Sequence, residues 1–89
     1  MLIVTEHARQ RLKGMLVANA DDPQVCLRLV LRSPTRLGLV LDEAMEGDQV
    51  VEHEGLRVML VDHEISVSLD GGILDVESTA DSERLSLSI

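Results

Sequence analysis

The feature that most constrains this chain is the stretch Pro23–Leu41, PQVCLRLVLRSPTRLGLVL, in which two apolar runs flank a short polar break. In the first run, Val25–Leu31, residues Leu27, Leu29 and Leu31 alternate with Arg28, Val30 and Arg32. A period of two puts the leucines on one face, as in a half-buried strand. The second run, Leu37–Leu41, follows Arg32-Ser33-Pro34-Thr35-Arg36. Pro34 presets a turn-compatible backbone angle and has no N–H for a ladder, so the chain is expected to reverse there into a hairpin. The leucine face of that hairpin needs a cover, which the rest of a short chain must supply.

That cover has to be aliphatic. Of 89 residues, 45% are hydrophobic and none is aromatic, so Leu, Val, Ile and Met build the core. A chain of this size buries roughly two thirds of its unfolded surface, enough for one core. Residues 1–89 are therefore read as a single domain. The net charge of -8 repels phosphate backbones and anionic lipid surfaces, and no ring is available for base stacking. Neither nucleic acid nor a membrane surface is expected as a partner. The lone cysteine, Cys26, forbids an internal disulfide and fits a reducing compartment. Met1–Val4 is too short for the apolar part of a signal peptide, and no apolar run approaches a membrane span. The cytoplasm is the expected location.

Ahead of the hairpin, Leu2–Val4 reads as a short edge strand. Thr5 reads as an N-cap, with Glu6 in a first turn where negative charge suits the helix dipole. Ala8, Leu12, Met15 and Leu16 recur at i, i+4, i+7 and i+8, predicting an amphipathic helix over Glu6–Ala18. Ala20-Asp21-Asp22-Pro23 cannot continue it. Beyond the hairpin, the acidic Asp42–Gly47 leads to strands at Gln49–Val51 and Leu56–Val61 around a Glu52–Gly55 turn. The second of these is apolar on nearly both faces, which suits an interior strand under the helix. Ile65–Leu69 alternates like a strand, yet Asp62 as an N-cap would equally start one helical turn, and periodicity leaves both open. Asp70-Gly71-Gly72 is a turn, Ile73–Val76 a strand, Glu77–Glu83 a polar loop, and Leu85, Leu87 and Ile89 alternate as a last strand. One helix with many short strands and no βαβ alternation belongs to the α+β class, with a mostly antiparallel or mixed sheet.

Several segments carry more than periodicity. They are Ile3-Val4-Thr5 before the helix, Leu27-Arg28-Leu29 running into Arg32-Ser33, and Asp48-Gln49-Val50-Val51-Glu52 with Gly55-Leu56-Arg57-Val58. Val61-Asp62, the more specific Leu69-Asp70-Gly71-Gly72-Ile73-Leu74-Asp75-Val76, and Leu85-Ser86-Leu87 complete the set. In this order and spacing the chain resembles the HesB/IscA-like domain, the A-type carriers of iron–sulfur cluster biogenesis. The resemblance implies a compact mixed β-sandwich with one N-terminal amphipathic helix, and a helical turn at Ile65–Leu69. Such carriers hold one cysteine in the turn after the arginine-bearing strand and a Cys-x-Cys pair beyond the last strand. Here Arg36 stands about where the first belongs, the pair has no counterpart, and Cys26 comes too early. Clusters take deprotonated thiolates, and a guanidinium repels a metal cation. The expectation is a cysteine-depleted member that holds no cluster and no other cofactor. It would act as a non-catalytic binding or accessory module, with a protein partner or a second copy of itself.

The remaining candidates each have a bland reading beside a sharp one. Arg28, Arg32 and Arg36 could line a basic strip for the carboxylate or phosphate of an acidic partner. The preferred reading is a solvated face paired with the chain's own surplus acids. His53, between Glu52 and Glu54, and His63, between Asp62 and Glu64, are the candidates for a weak mononuclear iron or zinc site. Adjacent residues of a strand point to opposite faces, so neither triplet converges, and both read as polar turns. No metal ligand is assigned on that basis, and His7 is read as solvated. Asp70 and Asp75 suggest an acid–base pair, but Asp70 in Asp-Gly-Gly is expected to bond its own turn backbone. With no nucleophile triad, phosphate loop, CxxC or HExxH in the sequence, no enzyme activity is expected. Cys26 is read as a small buried hydrophobe.

Overall fold

Helix α1 (Glu6–Asn19) lies against strands of two separate sheets, and the core forms where the three meet. The structure is a computed structural model that describes residues 1–33, 36–78 and 80–88. Its remaining elements are β1 (Ile3–Val4), β2 (Val25–Ser33), β3 (Arg36–Glu43), β4 (Gln49–His53), β5 (Leu56–Val61), α2 (His63–Ser68), β6 (Ile73–Ser78) and β7 (Glu83–Ser88). One sheet has the order β3-β2-β5-β4 and the other β1-β6-β7. Both are mixed. The pairs β2·β5 and β1·β6 are parallel, while β2·β3, β4·β5 and β6·β7 are antiparallel. The α+β architecture expected from the sequence is the one observed.

The helix starts where its cap chemistry dictates. Thr5 is extended, at φ -67° and ψ 159°, and its Oγ1 accepts the Ala8 N–H at 3.1 Å. The same hydroxyl donates to Asp75 Oδ1 at 2.7 Å, fastening the helix start to β6. Ala8, Leu12 and Leu16 form the buried stripe. At the other end the Ala20 N–H bonds the Leu16 carbonyl at 2.8 Å, and Asn19 Nδ2 donates to the Met15 carbonyl at 2.7 Å.

In the hairpin, Leu27 faces Leu41, Leu29 faces Leu39 and Leu31 faces Leu37, so the leucine face is continuous across β2 and β3. Leu27 and Leu29 join Leu12, Met59, Val61 and Leu74 in the core. Both strands outrun the apolar runs, reaching Ser33 and Glu43, with a bulge between Leu31 and Ser33. The expected reversal at Pro34-Thr35 lies outside the described residues, as does Ile89 at the end of the last strand. Strand β5 is interior, between β2 and β4, and packs under α1 as expected.

Two boundaries differ from expectation, and one open choice is resolved. The β4–β5 turn is only Glu54-Gly55, at φ 53° and 82°, so Glu52 and His53 belong to the ladder rather than to the turn. Positive φ at both central positions is the geometry of a type I′ hairpin, whose twist matches the flanking strands. The β6–β7 ladder runs out to Ser78 opposite Glu83, so the polar loop is shorter than Glu77–Glu83. Residues 63–68 are helical, with the Asp62 carboxylate accepting the Glu64 N–H at 2.9 Å, which settles the choice that periodicity left open.

Gln49 joins the sheets. Its side-chain amide donates to the Leu2 carbonyl at 2.7 Å and accepts the Leu2 N–H at 3.0 Å, and Ser66 Oγ donates to the same oxygen at 2.8 Å. One side chain thereby ties β4 and α2 to Leu2, the residue before β1.

Candidate functional site

The candidate arginine strip Arg28, Arg32 and Arg36 is not one surface. Arg28 is 6% exposed and fully engaged inside the protein. Its Nε donates to Asp42 Oδ2 at 2.8 Å, and its Nη1 and Nη2 clasp the Asp48 carboxylate at 2.9 and 2.8 Å. Nη2 also reaches the Glu43 carbonyl at 3.1 Å. The Asp48 side chain is itself 3% exposed. A forked donor closed on a buried carboxylate is a structural clamp. It pins the loop before β4 to the hairpin and leaves Arg28 with nothing to offer a partner. The hydrogen bond from Arg28 holds the Asp48 carboxyl below its ordinary range, and the bond to Asp48 in turn raises the Arg28 pKa. Sequence reasoning met Asp48 as the first residue of the Asp48–Glu52 segment, with no partner assigned to it. The signal available was an arginine in the alternating part of a strand, which has to find an acid if its face is covered.

Arg32 and Arg36 are exposed. A Cβ on Gly38 would meet Arg32 Nε at 2.7 Å, so the Arg32 side chain lies across the strand at the one position that gives it room. Arg36 instead borders a groove of about 870 Å³ between the two sheets. Leu31, Leu37 and Leu39 of the hairpin line one wall, Leu85 and Leu87 of β7 the other, and Met15 of α1 lies at the base. Arg11, Arg36, Arg84, Glu77 and Glu83 form the rim. The groove's second wall, on β7, lies far along the sequence from the hairpin, so no local pattern points to it.

The two histidines are separate. His53 is buried at 6% exposure in β4, with Nε2 3.0 Å from Glu54 Oε1, whereas His63 is exposed at the start of α2. Among the described residues no three His, Cys, Asp or Glu side chains gather as a metal site. Asp70 does not bond its own turn as expected. Its carboxylate pairs with the Met1 ammonium, which lowers its pKa, and the turn closes through the Gly72 N–H on the Leu69 carbonyl at 2.8 Å. Asp75 anchors the helix cap, accepting from Thr5 Oγ1 and the Val76 N–H, and both bonds lower its pKa. No acid–base pair results.

Compared with models of known families and with curated protein sequences, the chain matches none. Solved structures do match. Escherichia coli SufA, involved in biosynthesis of iron–sulfur clusters, superposes with a TM-score of 0.68 at 20% identity, over 98% of this chain and 83% of that one. IscA with its [2Fe-2S] cluster gives a TM-score of 0.63 at 14% identity, over 99% of this chain and 84% of that one. This is a HesB/IscA-like fold.

Thiolate is the donor an iron–sulfur cluster takes, and this sequence has one cysteine. Its only thiol, Cys26, is 4% exposed within β2, and its Sγ donates to the Arg57 carbonyl at 3.5 Å. Burial pushes that thiol up, away from the thiolate a metal requires. Near the hairpin tip stands the Arg36 guanidinium. One buried thiol per chain falls short of the Cys₄ set that ordinarily holds such a cluster.

Proposed function

We propose that this protein is a cysteine-depleted relative of the A-type carriers that holds no cluster and serves as a non-catalytic binding or accessory module. The reading rests chiefly on the state of Cys26, a sole thiol that is buried, hydrogen-bonded and kept protonated. Two such chains would bring only a pair of thiols to a cluster that ordinarily takes a Cys₄ set. Its action is through a protein partner or a second copy of itself, in a reducing compartment such as the cytoplasm. No helix among the described residues is long and apolar enough to cross a membrane.

Anaerobic purification followed by iron and sulfide analysis, before and after reconstitution with ferrous iron and sulfide, tests the reading. The expected result is neither element in stoichiometric amount and no charge-transfer absorption. A stoichiometric cluster that survives desalting overturns it, and survival in Cys26→Ser would assign ligands other than sulfur of this chain.

A further inference from the structure

The groove between the sheets combines two properties that a solvated seam would not need. Its walls are leucine, and they are only partly covered: Leu37, Leu39, Leu85 and Leu87 are half-buried and Leu31 is 42% exposed. With no aromatic residue anywhere in the chain, no large side chain fills the space between the hairpin and β7. Its volume of about 870 Å³ falls in the range of small-molecule sites.

The second property is charge. In a chain with 16 acidic residues and 8 Lys and Arg, the rim carries three arginines against two glutamates. Glu77 lies 3.7 Å from Arg84, and Glu83 lies 3.4 Å from His7, an imidazole that offsets it only when protonated. Arg11 and Arg36 have no ion-pair partner among the described residues. The mouth of an aliphatic groove thus offers two guanidiniums without an ion-pair partner, one from α1 and one from β3, in a molecule of net charge -8.

We propose that this groove is a binding site for an anionic aliphatic amphiphile, a long-chain carboxylate or its equivalent. The hydrocarbon lies between the Leu31, Leu37 and Leu39 wall and the Leu85 and Leu87 wall, and the head group meets Arg36 and Arg11. A guanidinium is suited to the carboxylate because its forked N–H groups match the two oxygens. The global charge of -8 opposes any anion, so affinity for one has to come from these local donors. The proposal is independent of the absence of a cluster, because iron and sulfide content decides that question and amphiphile binding decides this one.

Calorimetric titration of the intact protein with decanoate, dodecanoate, dodecanol and dodecyltrimethylammonium, each below its micelle concentration at neutral pH, tests it. Saturable binding of one dodecanoate per chain is expected, about tenfold tighter than decanoate, since each methylene buried adds a roughly constant increment. Arg36→Gln with Arg11→Gln, both on the surface and checked by their melting curves, should weaken dodecanoate at least about tenfold, the scale of a lost charge-assisted bond. The same double variant should leave dodecanol unchanged, and Leu31→Glu should weaken both ligands. Binding without chain-length dependence, tighter binding of the cationic amphiphile, or a double variant that keeps its dodecanoate affinity overturns the proposal. So does a concentration-dependent dimer that excludes dodecanoate, which would give the groove to a second copy of the chain.

Discussion

At the scale of single residues, the clearest consequence of the structure belongs to Arg28. Its guanidinium and the Asp48 carboxylate are both nearly sealed from water, with Asp42 at the half-open side. Removing one member of such a pair strands the other charge, which costs more than the pair contributes by existing. Arg28→Met should therefore destabilise the protein by about 3 kcal/mol, a large share of what a domain this small holds. The pH dependence follows from Asp48. Its pKa is lowered from an ordinary value of 3.8, chiefly by the bond from Arg28, so its contribution is complete above that value. It is lost as the pH falls through the depressed folded value, because the unfolded chain then binds the proton first. Thermal melts should show stability falling as the pH drops below about 4, with a shallower fall in Asp48→Asn, which should already be less stable at neutral pH. Equal slopes for the two proteins would remove the clamp from the acid transition.

At the scale of elements, the β4–β5 turn is the place where the sequence is not the best one for its own geometry. Glu54 sits at φ 53° and Gly55 at φ 82°. The left-handed region suits glycine and, next, asparagine, so a type I′ turn prefers Asn-Gly. Glu54→Asn should stabilise by about 0.5 kcal/mol, since the Glu54 contact with His53 is solvent-facing on the glutamate side and contributes little. A raised melting temperature checks it, and a drop would mean that the His53 contact outweighs the backbone term. This turn also shows what could be read in advance. The helix and the hairpin were legible because their apolar residues repeat over several turns or pleats, and Thr5 and Pro23 bracket the helix chemically. The sequence makes the Glu52–Gly55 turn look wider than it is because Glu-His-Glu resembles solvent-facing loop, and nothing local says that His53 is buried. The Ile65–Leu69 ambiguity is of the same origin, since five residues are too few to separate two periods. Arg28 does pair with the chain's own acids, but buried rather than solvated, because the strand pattern gives the face and not what covers it, and those acids lie 14 and 20 residues downstream. The second wall of the groove comes from β7, at the other end of the chain, and only the fold brings it opposite the hairpin.

At the scale of the whole molecule, two sheets share one aliphatic core, and that core is intolerant at its centre. Leu29 has no exposed surface. Leu29→Ala should cost about 3 kcal/mol through lost burial and a cavity, while Leu29→Asp should prevent folding, because an unpaired charge there has no acid-binding partner and no water. Retained secondary structure and a parental melt in Leu29→Asp would mean that the hairpin face is assigned the wrong way round. The surface presents the opposite problem. Sixteen acidic residues face 8 Lys and Arg, and among the described residues the only Lys or Arg in ion pairs are Arg28 and Arg84. Most of the negative charge is therefore uncompensated and repels itself across a body of 33 × 28 × 24 Å. At an ionic strength of about 0.01 M the Debye length is about 30 Å, comparable with the molecule, whereas at about 0.15 M it is about 8 Å. Added NaCl over that range should screen the repulsion and raise the melting temperature by about 5 °C, the shift that roughly 1 kcal/mol produces in a domain of this size. The buried clamp is screened far less than the exposed carboxylates, so it does not reverse the sign. A melting temperature that falls with NaCl would instead mean that attractive surface pairs dominate. In that case the rim arginines of the groove would have acidic neighbours to satisfy them, and their freedom to receive an anionic ligand would be lost with the repulsion.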